Sequence, residues 1–225
     1  MHRSFGVVLI VVLSLGLPAP GAAAPVAIAF GESSEMTMDG LSDESAWSSA
    51  TSFSLDYEIS PRLVKETSWK THGRVFHDGT SIYVWVAAED PDPARIRALN
   101  SVRDQVFNSD SVTVVLDPGR SERRAMNFTV SAGATQADWI SSSFGDGANQ
   151  WDGEWESAAI LDSSGYQVEF RLPFKTIGAT VDAEGVLQLG INVTRQIGRD
   201  RFETLSMAPI NTRETCDECQ FLHAI

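Results

Sequence analysis

Along most of this chain, apolar and polar residues alternate with a period of two. Residues 125–132 (AMNFTVSA) put Met126, Phe128 and Val130 on one side, the mark of a strand with one buried face. Residues 81–88 (SIYVWVAA) are β-branched or aromatic on both sides, which predicts a central strand. The turn His77-Asp78-Gly79-Thr80 and the run 67–76 before it complete a hairpin. Residues 110–117 (DSVTVVLD) stop at Pro118-Gly119, and further strands are expected over 155–161, 166–172, 187–193 and 202–207. Two stretches break the period. Residues 93–107, with Ile96, Leu99 and Val106, predict a short helix with Pro93 near its start. Residues 173–178 predict one helical turn closed by Gly178. About ten short strands at this spacing make an all-β, jelly-roll-like antiparallel β-sandwich with one or two short helices.

The first residues follow a different rule. Arg3 precedes an apolar run over 5–17 and then the small residues Gly21-Ala22-Ala23-Ala24, the three regions of a secretory signal peptide. Cleavage after Ala23 leaves a domain over 24–213 and a tail over 214–225, exported to the periplasm or beyond, with no transmembrane segment in the mature chain. Of 225 residues, 17 are Lys or Arg and 30 Asp or Glu, a net charge of −13. That balance excludes nucleic acid and anionic membrane surfaces as partners by repulsion. Cys216 and Cys219 in the tail are expected to form a local disulfide, with free thiols as the alternative. No Gly-x-Ser-x-Gly, His-Glu-x-x-His or phosphate-loop motif occurs, and His72, His77 and His223 lack a metal-ligand or catalytic spacing. The expectation is a noncatalytic protein.

Particular residues then carry a resemblance. Met38-Asp39-Gly40, Asp43-Glu44 and Trp47 resemble the opening of carbohydrate-binding modules of family 9. The likeness continues through the hairpin to Asp90-Pro91-Asp92, then at Asp110-Ser111-Val112, Gly165-Tyr166, Glu169, Leu172-Pro173-Phe174 and Gly190-Ile191-Asn192. Asp90 to Pro93, Ile96-Arg97, Arg103-Asp104-Gln105 and residues 151–157 (WDGEWES) also resemble the version found in front of bacterial outer-membrane β-barrels. The resemblance implies recognition of an oligo- or polysaccharide, with an interaction or plug-like domain beside such a barrel as the alternative. It also implies a clamp of two Trp rings. The first falls at Phe107 here, an acid expected two positions after Ser111 is Thr113, and the second belongs near 212–221, where there is no Trp.

Sugar binding needs flat aromatic faces ringed by polar groups. Trp47 and Trp155 read as core. The candidates for the binding surface are Trp69, Trp85, Phe107, Trp139 and Trp151, with Arg103 and Asn108 as polar partners. The Gly-rich loop 141–154 would carry Trp151 to the rim of a groove. Family 9 modules carry structural calcium, and Asp90, Asp92, Asp104 and Asp110, flanking the expected helix, are the residues proposed to hold it.

Overall fold

The computed structural model describes residues 27–60, 65–144, 147–148, 150–183, 185–199, 202–210 and 222–224. The expected signal peptide and the expected Cys216–Cys219 disulfide lie outside the described residues. In chain order the strands are β1 (Ala29–Phe30), β2 (Thr51–Ser54), β3 (Tyr57–Ser60), β4 (Lys65–Glu66), β5 (Thr71–His77), β6 (Ser81–Glu89) and β7 (Ser111–Asp117). They continue as β8 (Arg124–Ser131), β9 (Gln136–Ser142), β10 (Glu156–Asp162), β11 (Gly165–Pro173), β12 (Leu189–Gly198), β13 (Phe202–Ser206) and β14 (Leu222–Ala224). One sheet runs β1-β5-β6-β11-β10, with β2 sharing the outer edge of β5. The other runs β4-β3-β13-β12-β7-β8-β9, with β14 beside β12. The result is an all-β two-sheet sandwich with one short helix, α1 (Phe174–Ile177).

Alternation decides what each sheet turns inward. Val84 and Val86 of β6, Val168 and Phe170 of β11, Val112 and Val114 of β7, Phe128 of β8 and Val193 of β12 form one buried core. The predicted double burial of β6 has a specific cause. Its other face, Tyr83 and Trp85, lies under a 3-10 turn at Ser45–Ser48 that drops Trp47 onto Phe76. The Glu169 carboxylate on β11 fastens this cover by accepting the N–H groups of Asp39 and Gly40, both at 3.1 Å. The Asp-Gly, Asp-Glu and Trp of the opening motif are thus the lid of a second core.

The expected helix over 93–107 does not form. A 3-10 turn spans Pro93–Arg95, and Ile96 is already extended at φ −61°, ψ 128°. The segment spends its backbone groups elsewhere: the Arg97 carbonyl accepts from Asp110 N–H, and Asp104 N–H donates to the Gln136 carbonyl. Asp104 itself is left-handed (φ 70°), which no helix accommodates. Strands β1, β2, β3, β4, β9 and β14 are additions to the expected set. The strand β9 escaped the pattern because Asp138, at an inward position, is buried and serves as a hydrogen-bond acceptor.

Candidate functional site

The outward face of the eight-stranded sheet is almost wholly polar at its centre. Register aligns Thr194, Thr113 and Thr129 across β12, β7 and β8, and the last two hydroxyls are 2.8 Å apart. The next row places Asn192, Val115, Asn127 and Trp139 side by side. Gln196 lies opposite Ser111 and Thr204. These residues face outward because the neighbours before and after them, such as Val112 and Val114, occupy the inward positions.

Walls rise around this floor and enclose a cavity of about 350 Å³. Thr204 and Ile59 stand on one side, and Phe107 and Trp139 on the other. Phe107 is 66% exposed, although its neighbour Val106 is buried and anchors it. Its ring centroid lies 6.4 Å from that of Trp139, with the planes inclined at 49°. The Gln196 side-chain amide holds this wall by donating to the carbonyls of Phe107 (3.1 Å) and Ser109 (3.2 Å). Asn192 is committed to the fold, because its Oδ1 accepts from Val193 N–H and its Nδ2 donates to Ser206.

Among the described residues, no ionisable side chain lines the cavity. Its described lining combines hydroxyls, amides, aliphatic side chains and two ring faces. That set suits a neutral, hydroxyl-rich ligand.

Of the candidates named from the sequence, Phe107 and Trp139 meet at this cavity, and Asn108 is exposed beside Phe107. The others go elsewhere. Trp85 is only 6% exposed and donates from Nε1 to the Gly40 carbonyl beneath the Trp47 cover, out of reach of a ligand. Trp151 packs on the core with its ring T-shaped to Phe128 at 5.7 Å rather than at a groove rim. Trp69 sits in a separate depression with Glu89 and Asp90, donates from Nε1 to Glu203, and lies against Arg195 and Arg199.

Arg103 is consumed by structure. It pairs with the buried Asp138 at 2.6 Å and with Asp152 at 2.8 Å, and donates to Gln136. Asp138 also accepts from Trp155 Nε1 at 2.6 Å, so Arg103, Asp138, Asp152 and Trp155 build a packing cluster. The cavity-lining residues that the sequence reading did not name as binding candidates are Thr113, Thr129, Thr194, Asn127 and Gln196. Their signal was present, as polar residues at alternate positions of strands whose other positions are aliphatic.

The calcium expectation fails on the charges. Asp90 and Asp110 do converge, but on the guanidinium of Arg199, which pairs with Asp90 and lies 3.1 Å from Asp110. Arg195 stands 3.9 Å from Asp90. Asp92 is exposed, and Asp104 accepts weakly from Asp138 N–H at 3.4 Å. A divalent ion does not fit where a fixed cation already neutralises the carboxylates. Among the described residues no three His, Cys, Asp or Glu side chains gather as a metal site.

Comparison with known proteins agrees with this geometry. Among curated proteins none matches the chain. A family 9 carbohydrate-binding module from Caldicellulosiruptor kristjanssonii, solved with cellotriose, superposes with a TM-score of 0.62 at 15% identity, covering 88% of this chain and 91% of that one. The structure of such a module from the same organism with glucose gives 0.61 at 14% identity, covering 88% and 93%. A Bacteroides uniformis protein classed as a candidate carbohydrate-binding protein gives 0.67 at 13% identity, covering 89% and 98%. These likenesses concern the fold. The family model for "Carbohydrate family 9 binding domain-like" matches residues 38–208, so the chain belongs to the family 9-like carbohydrate-binding domains, which are noncatalytic binding modules.

Proposed function

We propose that this chain binds a neutral glycan in the cavity on the outer face of the eight-stranded sheet. Phe107 and Trp139 supply ring faces for the C–H surfaces of a sugar, and the Thr, Asn and Gln floor meets its hydroxyls. The observation that carries this reading is the lining itself, which among the described residues combines two aromatic rings with neutral hydrogen-bonding groups and no ionisable side chain. The volume of about 350 Å³ suits one or two sugar units rather than a long chain lying flat. Cellotriose and glucose, bound by the Caldicellulosiruptor modules, are the first ligands to try.

Calorimetric titration with cellotriose tests it. Trp139→Ala and Phe107→Ala are each expected to weaken binding about tenfold, since a well-placed ring is worth about 0.5–1.5 kcal/mol beyond its buried area. Affinity that is insensitive to salt is expected for the neutral glycan, with no binding of an oligogalacturonate. An acidic sugar that bound more tightly than cellotriose would refute the reading. Export through residues 1–23, and a place beside an outer-membrane barrel suggested by the Asp90–Pro93 and 151–157 resemblances, belong to the same proposal. Cell fractionation tests both.

A further inference from the structure

The segment 90–110 supplies the Phe107 wall, yet its only regular structure is the turn at Pro93–Arg95. Each end carries a buried acid, Asp90 or Asp110, whose side chain is fully withdrawn from solvent. Two carboxylates in that state stay ionised only if a counter-charge with good hydrogen-bond geometry is fixed between them.

Arg199, just past β12, is that charge. Its Nη2 donates to Asp90, and its Nη1 donates to Asp110 (3.1 Å) and to the Arg95 carbonyl (3.0 Å). Its own carbonyl accepts from Arg97 at 2.7 Å. The neighbouring Gly198 N–H donates to the other oxygen of Asp110 at 2.7 Å. Position 198 admits no side chain, because a Cβ there would stand 2.9 Å from both Arg97 and Asp110. One planar fork thereby touches the beginning, the early turn and the end of the segment, a task beyond a Lys ammonium.

We infer that Arg199, which does not line the cavity, positions its Phe107 wall by clamping both ends of segment 90–110, as a built-in cation in place of a bound metal ion. The positioning role rests on the proposed glycan site, whereas the clamp itself does not. Binding and loop order are therefore measured separately.

The variants are Arg199→Met, Arg199→Lys (which keeps the charge should the Met variant not fold), Phe107→Ala, and Phe107→Ala combined with Arg199→Lys. Amide hydrogen exchange of residues 96–109 is expected to accelerate about tenfold or more in Arg199→Lys, with β7 and β8 unchanged, since local opening reports the lost clamp. Millimolar calcium or EDTA should leave the wild-type exchange unaltered. Cellotriose affinity should fall about fivefold in Arg199→Lys, but by less than about twofold when Phe107 is already Ala, the non-additivity expected of residues acting through one another.

Unchanged exchange over 96–109, or exchange that depends on calcium, would overturn the clamp. Fully multiplicative losses in the double variant would overturn its action through Phe107. If the wild type binds no cellotriose, the glycan reading falls, and the positioning role with it, while the exchange result still decides the clamp.

Discussion

Glu169 makes the stability of this module depend on pH in a direction opposite to that of most carboxylates. Its side chain is buried on the outer face of β11, with one oxygen accepting the Asp39 and Gly40 N–H groups and the other without a partner. Burial, aided by the nearby charges of Glu44 and Asp39 and opposed by the two N–H bonds, pushes its pKa up to about 7 from the ordinary 4.5. The folded state therefore holds the proton more tightly than the unfolded chain. Its contribution is fully present below pH 4.5 and is lost as pH rises to 7. At about 1.4 kcal/mol per decade of proton affinity, the loss amounts to about 3 kcal/mol by pH 8. Glu169→Gln keeps an acceptor for both N–H groups and removes the titration.

Urea melts of wild type and variant at pH 5 and pH 8 measure the effect. The variant's advantage should grow from about 1 kcal/mol at pH 5 to about 3 kcal/mol at pH 8, the latter about 6–12 °C in Tm for a domain of this size. His77, whose pKa burial lowers, tilts stability the other way below pH 6.5, but it is common to both proteins and cancels in the difference. A difference between wild type and variant that does not change with pH would refute the argument, because it would place an ionised Glu169 in the fold throughout.

Other outcomes follow from the same geometry. Arg103→Ala strands the buried Asp138 carboxylate and should cost about 3 kcal/mol of stability, with cellotriose affinity unchanged. Trp151→Ala should likewise lower stability by about 2 kcal/mol for its half-buried ring, without weakening cellotriose binding; calorimetry that showed the reverse would move the site. Thr113→Val removes one hydroxyl from the cavity floor, and a severalfold loss of affinity with stability preserved to within about 1 kcal/mol is expected.

Much of the fold was legible because burial enforces alternation. The strands β6, β7, β8 and β11 lie where the period of two put them, and Gly178 closes α1 with φ +70°. What escaped were elements whose polar residues are buried. Asp138 in β9 looks like a loop residue until Arg103 and Trp155 are brought to it from distant parts of the chain. The same blindness split the binding candidates. Composition marks Trp and Phe as rings but says nothing about what covers them, so Trp85 reads equally as groove-lining or core, although a 3-10 turn some forty residues earlier hides it. Of the four acids expected to converge, only Asp90 and Asp110 meet, at Arg199. Their partner was misread, because Arg199 lies about ninety residues further on and sequence spacing carries no sign of it.

The most direct test of the glycan site is a pair of backbone-amide and indole NMR spectra recorded with and without cellotriose. Shifts confined to Phe107, Thr113, Asn127, Thr129, Thr194, Gln196 and the Trp139 indole are the predicted result. Shifts centred on Trp69 and Glu203, or on no contiguous surface, would contradict it.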